Sequence, residues 1–152
     1  MSEARTFKVQ SGLAKQLARP GGRTVDEAER RAAQGLASHR EDTLVAIGRI
    51  IGELEQACAA AEAGQEAHVY ERAATLIDLA GFFDTGPLYE AGYSLCELSD
   101  RMRGAGVWKW PAVEVHVKAL RLIHAGGCKA DDNAAVLLQG LRSVLGAFAP
   151  AA

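Results

Sequence analysis

Cysteine, proline and aromatic residues are all scarce in this sequence. Its 152 residues include three Cys, four Pro, two Trp, three Tyr and four Phe. Cys58, Cys96 and Cys128 are an odd set with no CxxC pair, which fits neither a disulfide framework nor a zinc-ligand spacing. Their expected role is as small buried apolar groups. With so few aromatics, the core must be built mainly from Ala, Leu, Val and Ile. An excess of one charge is missing too. The 17 Lys and Arg against 19 Asp and Glu leave a net charge of −2. That gives no basic footprint, so neither nucleic acid nor an anionic membrane is an expected partner. No apolar run approaches the ~18 residues of a membrane helix, and Met1–Lys8 lacks the apolar centre of a secretory signal. Together these absences predict a cytoplasmic protein.

What is present is ordinary for a globular chain: 49% apolar and 24% charged residues, at a length that suits one core. Leu13 and Leu17 suit a short helix ended by Pro20-Gly21-Gly22, so residues 1–23 read as an N-terminal arm. Thr24 and Glu27 then form a capping box. Behind it Leu44, Ile47, Ile51, Leu54, Cys58 and Ala61 step by threes and fours, with a weaker extension back through Ala33, Ala37 and Arg40. Residues 25–63 are therefore expected to be one long helix or two collinear ones. Gly48 and Gly52 lie four apart on it. They imply either the close approach of a neighbouring backbone or a kink.

Val69, Ala73, Leu76, Ala80 and Phe83 define a second helix. Asp84-Thr85-Gly86-Pro87 opens a third, with Leu88, Gly92, Leu95, Ser99 and Met102 as its core stripe. Val113, Val115 and Val117 alternate like a strand. Pro111, and apolar residues at 113, 117, 120 and 123, favour a fourth helix instead. Asp131-Asp132 caps a fifth, carrying Leu137, Leu141, Val144, Leu145 and Phe148. The expectation is an all-α bundle of one long and about four medium helices over residues 24–149.

Helical wheels then expose a surplus of apolar surface. Tyr89, Tyr93 and Cys96 form a stripe beside the core line of the third helix. Its polar face is reduced to Glu90, Ser94, Glu97 and Arg101, with Glu97 and Arg101 spaced for an ion pair. Val115 and Leu122 lie opposite the core line of the fourth helix. Trp108, Trp110 and Phe82 add aromatic groups near helix ends. Either both helices are central in the bundle, or these side chains cover a partner or dimer interface.

Catalytic signatures are absent. There is no Walker loop, GxSxG elbow, HExxH pair or EF-hand loop. Glu66/His68 and Glu114/His116 are two apart, not the three of helical dinuclear sites. No metal site and no cofactor is expected. His116 and His124 lie on or beside the core line of the fourth helix, where a hydrogen-bonded buried imidazole is the ordinary outcome and proton transfer the alternative. A cysteine beside either would make a nucleophile–base pair in a small pocket. His116-Val117-Lys118-Ala119 only loosely approaches a histidine phosphotransfer motif, with Lys one residue early and Gly missing.

Two stretches are similar to a known group. Leu13-Ala14-Lys15-Gln16-Leu17 running into Pro20–Ala28 is one. Phe82–Ala91 with Trp110–Val117 is the other. Together they resemble the small CheE-type accessory proteins of alphaproteobacterial chemotaxis gene clusters, over most of the chain. The resemblance implies a cytoplasmic accessory protein that acts by contact with signalling components, and it brings no catalytic residues. The resulting expectation is a non-catalytic, homodimeric helical adaptor in bacterial signal transduction. It would bind a signalling or response-regulator protein through Tyr89, Tyr93, Cys96, Trp108, Trp110, Val115, Leu122 and Phe82. The alternative is a phosphorelay protein with His116 as phospho-acceptor.

Overall fold

A computed structural model describes residues 24–83 and 85–148, together with Gly12 and Gly21. The rest of the expected arm, Asp84, and residues 149–152 lie outside the described residues, and so does the short helix expected at Leu13 and Leu17. Among the described residues there are five α-helices and no strand: α1 Val25–Ala60, α2 Glu66–Ala80, α3 Gly86–Gly104, α4 Trp110–Ala125 and α5 Asp132–Gly146. None is long and apolar enough to cross a membrane.

The chain divides into two compact units, residues 1–37 and 38–152, whereas the sequence suggests a boundary at 23/24. In the first unit α1 opens as expected, with the Glu27 amide donating to Thr24 Oγ1 at 3.2 Å. Its early turns bury nothing: Ala33 and Ala37 are exposed, as are Val25 and Leu36. The heptad extension through those alanines therefore does not become a core seam, because alanine presents too little surface to hold a neighbour.

The core lies in the second unit. There α1 contributes Ile47, Ile50, Ile51, Leu54 and Ala57. The helix stops at Ala60 rather than residue 63, since Ala61 takes φ +47 and Gly64 φ +88, both left-handed conformations that end a helix. It runs unbroken through Gly48 and Gly52, so those glycines mark a close approach and not a kink. What approaches is side chain rather than backbone. A Cβ at Gly48 would stand 3.2 Å from His124 Cε1, and one at Gly52 3.8 Å from Arg121 Nη2.

In α2 the buried residues are Val69, Ala73, Leu76 and Ala80, the expected stripe without Phe83, which lies beyond the helix and is half-buried. Pro87 sits in the first turn of α3, where its missing N–H is no loss. The Thr85 hydroxyl turns back to the Ala80 carbonyl at 2.9 Å and joins α2 to α3. The valine alternation at 113–117 resolves as helix, with Pro111 in the first turn of α4. Asp131 caps α5 by accepting the Ala134 amide at 2.8 Å. The buried line of α5 is Ala134, Leu138 and Leu141. Leu141 is buried as expected, Leu138 is buried beside it, and Leu137 is half-buried against the core.

In this unit α3 packs against α2, α4 and α5, and α4 packs against α5. Helices α2 and α3 approach closely at Gly92, where a Cβ would lie 2.9 Å from Leu76 Cδ2 and 3.2 Å from Ile77 Cγ1. Leu76 is fully enclosed and has nowhere to swing. Gly92→Ala should therefore destabilise by about 1–3 kcal/mol through overpacking. Gly52→Ala, with ordinary contact distances, should instead gain up to about 1 kcal/mol of helix propensity. Urea melts of the two variants check the contrast, and equal stability for both would contradict the α2–α3 packing.

Candidate functional site

The polar face of α3 is only partly open to water, with Glu90 exposed and Ser94, Glu97 and Arg101 half-buried. Ser94, half-buried between the exposed Tyr93 and the core residue Leu95, meets His116 from α4. Its Oγ lies 3.0 Å from His116 Nε2, and His116 Nδ1 lies 2.9 Å from the Ala112 carbonyl. A carbonyl only accepts, so Nδ1 carries the proton. The neutral ring then offers Nε2 as an acceptor, and Ser94 donates to it. Four other helical hydroxyls behave differently. Thr43, Thr75, Ser99 and Ser143 each donate to the carbonyl four residues back in their own helix, the usual outcome for such residues. Ser94 directs its proton across to α4.

His116 is wholly buried. Burial pushes its pKa below the ordinary 6.5, with the Ala112 hydrogen bond acting the other way. Both ring nitrogens are engaged and the ring is closed off from solvent. A phospho-acceptor histidine needs an exposed nitrogen, so this geometry removes the feature on which the phosphorelay alternative for His116 depends.

Ser94 lies in the wall of an open cleft of about 340 Å³ between α3 and α5. Tyr89, Tyr93, Leu138, Leu141 and Leu145 supply its apolar lining, and Glu90, Glu97 and Arg142 its charges. Arg142 pairs with Glu90 across the rim at 3.3 Å. The expected Glu97–Arg101 pair is formed. Arg101 also donates to the carbonyls of Leu145 and Phe148 at 3.1 and 2.8 Å. One guanidinium thus satisfies the open end of α5 and fixes it beside α3.

The eight expected interface residues do not form one face. Tyr89 and Tyr93, 42% and 58% exposed, share the α3/α5 cleft. Leu122, 59% exposed, lines a separate cleft of about 430 Å³ between α4 and α5, with Val136 and Leu137. Val115, 45% exposed, is one of the open residues of α4, and Phe82, 79% exposed, stands in the α2–α3 turn. Cys96, Trp108 and Trp110 are half-buried and packed on the core. The two tryptophans meet edge to face with centroids 5.6 Å apart, and the Lys109 amide between them donates to Met102 Sδ at 3.4 Å. They staple the start of α4 to the end of α3.

The cysteines supply no nucleophile to the histidines. Burial holds the Cys58 and Cys96 thiols up at about 11 and raises that of Cys128, so all three stay protonated at neutral pH. His124 instead donates through Nε2 to the Leu44 carbonyl at 2.8 Å. Arg121 grips Glu55 through two bonds of 2.9 and 2.6 Å. Both contacts fasten α4 to the second half of α1. The pairing of Ser94 with His116 was not foreseen from sequence. The available signal was a histidine on a core stripe, which requires a buried partner. No known protein family, curated protein or solved structure matches the chain.

A pH dependence follows from the burial of His116. The unfolded imidazole binds its proton near the ordinary 6.5 and the folded one only at lower pH, so the unfolded state binds more protons just below 6.5. Stability should therefore be unaffected by this group above that value. It should fall with acidification below it, by at most about 1.4 kcal/mol per pH unit. Glu55, held below 4.5 mainly by its hydrogen bond from Arg121, loses its contribution only at lower pH. Urea midpoints between about pH 7.5 and 5 check this. The slope should be absent in His116→Gln, and a wild-type midpoint independent of pH would contradict the burial.

Proposed function

We propose that the chain is a helical interaction module of bacterial signal transduction that seats a protein partner in the α3/α5 cleft. The observation that carries this reading is the cleft itself. Tyr89 and Tyr93 stand open at its edge over a leucine floor from α5, where an apolar side chain of a partner would be taken out of water. Charged groups on both sides, Glu90 with Arg142 and Glu97 with Arg101, give the orientation that an apolar slot alone lacks. The chemotaxis setting, the cytoplasmic location and the homodimer come from the resemblance and the spare apolar surface, and form part of the same proposal.

Tyr93→Glu places a charge at the cleft edge without entering the core. With purified receiver-domain and histidine-kinase proteins immobilised in turn, wild type should bind at least one of them, and Tyr93→Glu should bind at least tenfold more weakly, about 1.4 kcal/mol. Circular dichroism should report unchanged helicity for the variant. Equal binding by both proteins, or none by either, would count against the cleft as the contact surface.

A further inference from the structure

We infer that Ser94 is a nucleophile that accepts an acyl group from a short-chain ester, with His116 as its general base. This goes beyond the partner-binding reading and does not depend on it.

Three features meet at Ser94. Its hydroxyl donates to a base, at 3.0 Å, and not to its own helix. That base is oriented by a third group, since the Ala112 carbonyl takes the Nδ1 proton at 2.9 Å and so fixes the tautomer that leaves Nε2 free to accept. Nucleophile, base and orienter in hydrogen-bond order are the arrangement by which a serine is activated. Third, Ser94 lines the cleft while His116 lies behind it, fully buried. Ser94 thus stands between the cleft and its base, and the nucleophile is reachable from the cleft. The leucine floor and about 340 Å³ of space suit a small aliphatic acyl chain. Arg142, the cation in the lining, is the group on hand to offset negative charge on a carbonyl oxygen.

In the reaction, Ser94 Oγ attacks the ester carbonyl carbon while its proton passes to His116 Nε2. The bond from that carbon to the alkoxy oxygen then breaks, and the departing alcohol takes the proton from Nε2. Ser94 is left as an ester. Water, deprotonated by the same Nε2, attacks that ester, releases the carboxylic acid and restores the hydroxyl.

The test uses the full chain and two probes, a serine-selective fluorophosphonate and p-nitrophenyl butyrate. Peptide mapping after fluorophosphonate treatment should find the label on Ser94, at least about 100-fold faster than on Ser99 or Ser143, the low end of what a positioned base contributes. Butyrate ester should be hydrolysed by wild type, and that activity should be lost in Ser94→Ala at unchanged helicity. Prior acylation with the butyrate ester should protect Ser94 from the label. Label spread evenly over serines, an unlabelled Ser94, or undiminished hydrolysis by Ser94→Ala would overturn the proposal. The wild-type map decides even where the variant fails to fold. Because partner binding is read separately through Tyr93→Glu, failure of either claim leaves the other standing.

Discussion

The second unit depends on covering α3. That helix buries Pro87, Leu88, Ala91, Gly92, Leu95, Leu98, Ser99 and Met102, which leaves little of its circumference for water. No single neighbour can enclose so wide an apolar band. Three do: α2, α4 and α5. Each meets α3 through a different device. Against α2 it is the missing side chain of Gly92. Against α4 it is the hydrogen bond from Ser94 to His116. Against α5 it is Arg101 on the terminal carbonyls. The outer attachment, of α1 to α4, again uses a glycine to admit an imidazole and a carboxylate to hold a guanidinium.

The cleft follows from the same constraint. Arg101 fixes the end of α5, and Ala134, Leu138 and Leu141 set its buried line. Tyr89 and Tyr93 of α3 border the space beside that line, together with Ser94. The result is an apolar recess with a polar, activated group in its wall. The two proposals, seating an apolar side chain and accepting an acyl group, would draw on the same recess for different reasons: the first on its floor, the second on Ser94.

The helices were legible in the sequence because their signals are local. Val69, Ala73, Leu76 and Ala80 announce α2 by spacing alone. Pro87 and Pro111 mark first turns, and Asp131 marks a cap. The deeper burial of Leu138 is not legible because Leu137 and Leu138 are adjacent, and only packing against the other helices decides which one lies further in. The sequence does not apportion the apolar side chains of α3 and α4 between core and surface. Cys96 and the two tryptophans went to the core, while Tyr89 and Tyr93 stayed open. The site itself was least legible. Ser94 looks like one member of a solvent-facing row with Glu90 and Glu97, and His116 like an ordinary core histidine. Nothing in their local sequence states that residues 22 apart share a proton, since that depends on how α3 and α4 cross.

Long-range ¹H–¹⁵N correlation spectra of the His116 imidazole read the protonation state on which the Ser94–His116 pair rests. A neutral ring is expected at neutral pH, with its proton on Nδ1, an acceptor-type Nε2, and a titration midpoint below the ordinary 6.5. A ring protonated on Nε2 would mean that Ser94 does not donate to His116, and a midpoint at or above 6.5 would contradict the burial of the ring.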